Sequence, residues 1–255
     1  MSDPIRHFGA HRDKPDARDH AYVAPAALLK QRPARVDLRP QCPPVYDQRP
    51  LQSCTANAAA AAIQFERRRR GLQPDFIPSR LFIYYNERTL LGTADQDAGA
   101  PLREAIKALV KQGDCPEEHW PYDHAKVNVA PPERCYQDAV RYKQVAYKRL
   151  PQDLAQLQAC LASGRPFLLA FAVYESFETP EAARAGAPPL PKPGEKLLGN
   201  HAVMAVGYDD AHRRFIVRNS WGPQWGDAGY FGLSYDYAVD PKLAGDFWTL
   251  EIAAV

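Results

Sequence analysis

The stretch that most constrains this chain is Ala58-Ala59-Ala60-Ala61-Ala62, which follows Cys54-Thr55-Ala56-Asn57 with no glycine or proline until Gly71. Alanine is the strongest helix former, so the pattern predicts a helix from about Cys54 to Arg70. Small side chains on most faces let neighbouring elements approach closely, and the rest of the chain is expected to organise around it. Cys54 then falls in or next to the first helical turn. Unpaired N–H groups and the helix dipole favour negative charge there, so the expectation is a lowered thiol pKa. Gln48 lies six residues upstream in a turn-rich loop and offers an amide donor beside the sulfur. A nucleophile with a neutral hydrogen-bond donor nearby is what acyl transfer requires. Taken alone, Cys54 also fits a buried small residue at a helix start.

A length of 255 residues accommodates one large domain or two packed subdomains around a cleft. A net charge of +2 argues against nucleic acid or a membrane as partner. Arg67-Arg68-Arg69-Arg70 before Gly71 reads as cations at a helix C-terminus with a glycine stop. No apolar run approaches the ~20 residues of a membrane span. The amino terminus lacks the apolar core of a secretory signal, so cytoplasmic residence is the default expectation. The five cysteines are an odd count, which leaves at least one thiol free. Cys42, Cys115, Cys135 and Cys160 show no C-x-x-C spacing, so neither structural zinc nor any other metal or cofactor is expected.

Residues 1–32 read as an arm on the main body, 33–144 as a helical subdomain and 145–255 as a β-rich one. Helices are expected over Pro78–Arg88, from Pro101 to about Lys111, and over Leu154–Ser163. Residues 114–135, with Pro116, Pro121, Pro131 and Pro132, read as loop, and His119 and His124 there as surface or packing residues. Phe167–Val173 reads as a buried strand, and residues 175–198, with five prolines, as an irregular insertion. His201–Tyr208 and Arg214–Ser220 read as strands of one hairpin, with more β structure at Gly229–Leu233 and Phe247–Ile252.

A cysteine nucleophile needs a base, and the base needs a third group to hold its ring. His201 begins one strand of the hairpin and Asn219 ends the other, so the two side chains can meet. Here the chain resembles the papain-like cysteine peptidases. Asn219-Ser220-Trp221-Gly222-Pro223-Gln224-Trp225-Gly226-Asp227-Ala228-Gly229-Tyr230 resembles that family's asparagine segment. Gly199-Asn200-His201-Ala202-Val203 resembles its histidine strand, Gln48 to Cys54 carries its glutamine–cysteine spacing, and Val36-Asp37-Leu38-Arg39 resembles the start of its mature chain.

The resemblance implies an α+β fold with a helical subdomain, an antiparallel β-barrel-like subdomain and the site between them. It implies Cys54 as nucleophile, His201 as base and then acid, Asn219 as orienter, and Gln48 with the Cys54 N–H as oxyanion donors. It implies Trp221 as a shield over the His–Asn pair, and Gln52, Ser53, Ala98, Gly99 and Asn200 as substrate-binding. The partner would be a peptide or protein. Leu51 stands where the family has a disulfide-forming cysteine, and no aromatic residue follows Cys54. Residues 1–32 are shorter than the family's usual pro-region, and two expectations stand for them: a short pro-segment or plug folded back across the cleft, or a disordered terminus. The competing expectation is an inactive or permanently plugged scaffold that acts as a binding protein.

Overall fold

Helix α2 (Cys54–Arg69) runs through the middle of the molecule, and every residue from Cys54 to Arg67 is buried. Its alanines explain why: with side chains no longer than a methyl on most faces, the helix is packed on all sides. The large antiparallel sheet lies along one side of it, and α3 (Arg80–Leu91) and α4 (Leu102–Gln112) lie along the other. The computed structural model describes residues 7–143, 145–179, 182 and 187–252. Residues 1–6 of the expected arm, and Pro180 with some neighbours in the expected insertion, lie outside that set.

The flanking helices carry conventional stops. Ser79 caps α3 by accepting a hydrogen bond from Phe82 N, and Gly92 ends it at φ 75°, a conformation that glycine adopts without a Cβ penalty. Helix α4 buries Leu102, Ala105, Ile106 and Leu109 at helical spacing. Two short strands, β1 (Ala10–His11) and β3 (Ala100–Pro101), pair in parallel beside the start of α4. The arm also holds a five-residue helix, α1 (Ala26–Lys30), seated on α6 (Leu154–Ala162).

The sheet contains β4 (Val145–Arg149), β5 (Phe167–Tyr174), β6 (Leu197–Asp209), β7 (Arg214–Arg218), β8 (Tyr230–Ser234) and β9 (Ala244–Ile252) in the order β4-β9-β5-β6-β7-β8. Strand β2 (Arg35–Asp37) extends it by pairing with Gly207–Asp209 of β6, beyond the point where β5 stops at Ala205. Helix α7 (Tyr235–Val239) follows β8. The architecture is α+β: α2, α3 and α4 fall between Cys54 and Gln112, and β4 to β9 fall between Val145 and Ile252.

Three local readings are corrected. Strand β4 holds four half-buried residues and the exposed Lys148, so its sequence lacks the apolar run that reveals β5. Within 114–135 the chain is not all loop: α5 (Glu133–Ala139) begins there, because Pro132 occupies the N-cap, where its missing N–H costs nothing. The arginine run is more than cation at a helix end. Arg67 is buried over Phe76 and Tyr142, Arg68 pairs with Asp75, and Arg69 pairs with the buried Glu66.

Candidate active site

The site forms where the first turn of α2, the loop before it and the end of the β6–β7 hairpin come together. The β6–β7 register pairs Met204 with Arg218; extended one step, it sets Asn219 opposite Val203. His201 lies two residues from Val203 and so on the same face, a diagonal neighbour within reach of an Asn side chain. His201 Nε2 and Asn219 Oδ1 are 2.8 Å apart. Asn219 Oδ1 also accepts from the Ser220 N–H, which fixes the amide orientation. Trp221 stacks on the imidazole, with centroids 4.8 Å apart and planes 22° apart, and Phe171 meets the ring edge-on. Both partners are buried, so this hydrogen bond sits in a low dielectric, where it is stronger.

Two loops are sewn together beside it. Gln48 N–H donates to Ser220 O at 2.8 Å, and Gly222 N–H donates to Tyr46 O. Ser220 Oγ donates to Gln48 Oε1 at 2.6 Å, while Gln48 Nε2 donates to Leu51 O at 2.9 Å. The Gln48 amide is therefore held at both ends. Tyr122 braces the loop from behind by donating to Gln48 O and sharing a hydrogen bond with Ser53 Oγ.

Cys54 is the first residue of α2 and is wholly buried. The backbone N–H groups of Ala202, next to His201, and of Gly9 favour its charged form. The thiol pKa is pushed up to about 11, above its ordinary 9.0, because burial outweighs those donors. This reverses the expectation of a lowered pKa: the helix start is there, but a covered sulfur loses the water that would solvate a thiolate. Under the same turn, Glu87 is fully buried, accepts from Thr55 Oγ1 at 2.7 Å, and is pushed up to about 8 by burial.

What covers the sulfur is the amino-terminal arm. Gly9 bridges in parallel to Asn200, its carbonyl accepts from Ala100 N–H at 2.9 Å, and β1 then continues alongside β3. The fit admits no side chain: a Cβ on Gly9 would lie 2.1 Å from Gln52 O, and one on Gly99 would lie 2.0 Å from Gly9 O. Gly99 also has φ 67°, so glycine is required there on two counts. Phe8 packs edge-on against His201 and Trp221, and beyond β1 the Asp13 carboxylate accepts from Trp248 Nε1 and Arg103 N.

Cys54, His201, Asn219, Gln48 and Trp221 thus converge, and Gln52, Gly99 and Asn200 line the groove that Gly9 fills. Gln52 is tied down by Asp97, with Nε2 donating to Asp97 O. Ala98 sits beside Gly99 in that wall. Ser53 does not face the groove; its side chain turns inward to Tyr122 and Asn57. His119 pairs with Asp138, as a packing residue would. The sequence by itself singles out neither Ser220 nor Tyr122. Ser220 is legible as part of the asparagine segment, whereas nothing local marks Tyr122. Among the described residues no cluster of His, Cys, Asp and Glu is arranged to hold a metal.

The family described as papain family cysteine protease matches residues 32–244. An uncharacterised peptidase C1-like protein of Acanthamoeba polyphaga mimivirus is 39% identical over 96% of this chain and 87% of its own length. A cathepsin B-like protein, CP3, of Giardia intestinalis is 27% identical over 91% of this chain and 80% of its own. Among solved structures, the chain is similar to Xylellain, a cysteine protease from Xylella fastidiosa, with a TM-score of 0.92 and 44% identity over 97% of this chain and 96% of that one.

Proposed function

The chain belongs to the papain family and is a cysteine-type peptidase; from that premise we propose that Cys54, His201 and Asn219 carry its chemistry and that the amino-terminal arm holds it in check. The observation that carries the reading is the 2.8 Å His201–Asn219 hydrogen bond beside a buried sulfur at the start of α2. With Asn219 Oδ1 as acceptor, the proton of the neutral ring resides on Nε2, and Nδ1 becomes the basic nitrogen. His201 takes the Cys54 proton, the sulfur adds to a peptide carbonyl, and the oxyanion is met by the Cys54 N–H and Gln48 Nε2. His201 then protonates the leaving amine, and water hydrolyses the thioester. Gln52, Gly99 and Asn200 take the substrate backbone where Gly9 now lies.

The arm is inhibitory in this reading because it occupies the groove without presenting a scissile bond. The Gly9 N–H favours the charged form of the sulfur, while the Gly9 carbonyl is engaged by Ala100. A thiol so covered is also a poor nucleophile. That observation equally supports a second reading, a permanently plugged scaffold that acts as a binding protein.

The two readings separate with one full-chain variant. Gly9→Val introduces a side chain that overlaps Gln52 O, so the arm cannot seat. Hydrolysis of an unfolded protein substrate should be slow in wild type, faster in Gly9→Val, and absent in Gly9→Val with Cys54→Ala. A Gly9→Val chain as inert as wild type, with its groove open to a thiol reagent, would establish the binding reading instead.

A further inference from the structure

Outside the cleft, two cysteines lie together. Cys115 precedes the Pro116–His119 turn, and Cys135 sits in the first turn of α5. The turn is closed by His119 N–H donating to Pro116 O. Cys115 Sγ donates to that same Pro116 O at 3.5 Å, and Cys135 Sγ reaches His119 O at 3.7 Å. The two sulfurs thus converge on a single four-residue turn, and Cys135 adds to the burial that raises the Cys115 thiol. Both residues are wholly buried. By contrast, Cys42 and Cys160 bond to the carbonyls of Leu38 and Arg165.

We propose that Cys115 and Cys135 form a disulfide-modification site, oxidised by a small-molecule disulfide of the glutathione class, that staples the loop bracing the candidate oxyanion donor. Two exchanges make the bond. One cysteine thiolate attacks the small disulfide, releasing a thiolate and leaving a mixed disulfide. The second cysteine, deprotonated, attacks the protein-side sulfur and releases the other small thiol. Two electrons pass from the pair of cysteines to the small disulfide, which leaves as two thiols.

The staple closes residues 115–135, and this segment carries the groups that hold the Gln48 loop. Tyr122 donates to Gln48 O and contacts Ser53 Oγ. Glu117 takes the Arg80 guanidinium through two oxygens, and Arg80 in turn donates to Asp47 O and lies 4.0 Å over the Tyr122 ring. Because burial drives the Cys115 thiol well above its ordinary range, exchange at the folded site is slow. The bond therefore forms while the chain folds and then persists.

The test uses the full-length Cys54→Ala chain, which cannot digest itself and contributes no reactive nucleophile. It is refolded from denaturant in excess glutathione disulfide, then unfolded, alkylated and digested for a peptide map. The expected result is that two of the four remaining thiols escape alkylation, that one linked peptide pair joins Cys115 to Cys135, and that reductant lowers the thermal midpoint. Four alkylated thiols at every glutathione ratio, or a linked pair that includes Cys42 or Cys160, would overturn the assignment. The map needs no substitution in the pair itself, so it reads out even where Cys115→Ser fails to fold.

Discussion

Asp13 is a buried carboxyl of the arm, and its environment sets a direction for how the arm responds to pH. The carboxyl is buried between β9 and α4, where it accepts from Trp248 Nε1 at 2.7 Å and Arg103 N at 3.1 Å. Asp246 of β9 faces it and accepts from the Asp13 N–H. Arg103 of α4, Arg149 of β4 and Arg12 of the arm supply the surrounding positive charge. Burial first, and then the Asp246 charge, push Asp13 from 3.8 up to about 6, against the pull of its donors and of Arg103. Burial raises Asp246 as well.

A carboxyl whose pKa is higher docked than free binds its proton more tightly docked. Docking is therefore unpenalised below about pH 3.8, and the penalty grows until pH passes about 6. At about 1.4 kcal/mol per pH unit, the penalty reaches roughly 3 kcal/mol, on the order of a hundredfold in the docking equilibrium. The arm should thus loosen as pH rises through the window from 3.8 to about 6. The assay is kcat/KM of the full chain divided by that of Gly9→Val across this window, a ratio in which the pH dependence of the catalytic groups cancels. For wild type the ratio should climb on the order of a hundredfold. Asp13→Asn keeps an acceptor oxygen for Trp248 and Arg103 without the charge, so its ratio should stay low and flat. An Asp13→Asn profile that tracks wild type, or a wild-type ratio that falls with pH, would refute the linkage.

Other expectations follow from single contacts. Ser220→Ala removes the donor to Gln48 Oε1 and leaves that buried oxygen unpaired. In a Gly9→Val background, kcat should fall by about tenfold or more with KM little changed, in line with about 1–3 kcal/mol for such a loss. Ala60→Leu adds three carbons at a wholly buried position of α2; urea unfolding should show about 1–3 kcal/mol of destabilisation. Glu87→Gln removes a carboxyl held neutral up to about 8 under the Cys54 turn. Activity in the Gly9→Val background should then hold further into the alkaline range, since no buried charge develops there to oppose the thiolate. An unchanged alkaline limb would count against that role.

The sequence disclosed most where one residue's chemistry required another's. His201 and Asn219 are 18 residues apart, yet period-2 strand patterns and a short turn between them fix which side chains share a face. The alanine run is legible for a similar reason, since helix propensity and close packing ask for the same residue. Strand β4 is not legible because its partner β9, not its own side chains, makes it a strand: the residues from Val145 to Arg149, with Lys148 exposed and the others half-buried, show no apolar run. Strand β1 is held by the groove it enters, and two residues carry no period.

The thiol is the sharpest case. A helix start lowers a cysteine pKa by local geometry, and that much is written in residues 53–57. Whether the sulfur meets water is decided by Gly9, some 45 residues earlier, through a contact that no local pattern encodes. The arm binds through backbone pairing and a carboxylate anchor, each of which water can replace. The raised pKa therefore belongs to the docked state and not to the cysteine. In Gly9→Val, the Cys54 thiol should titrate well below about 11, measurable as the pH dependence of its alkylation rate. If the alkylation pKa stays near that value with the arm displaced, the covering arm is not what silences the sulfur.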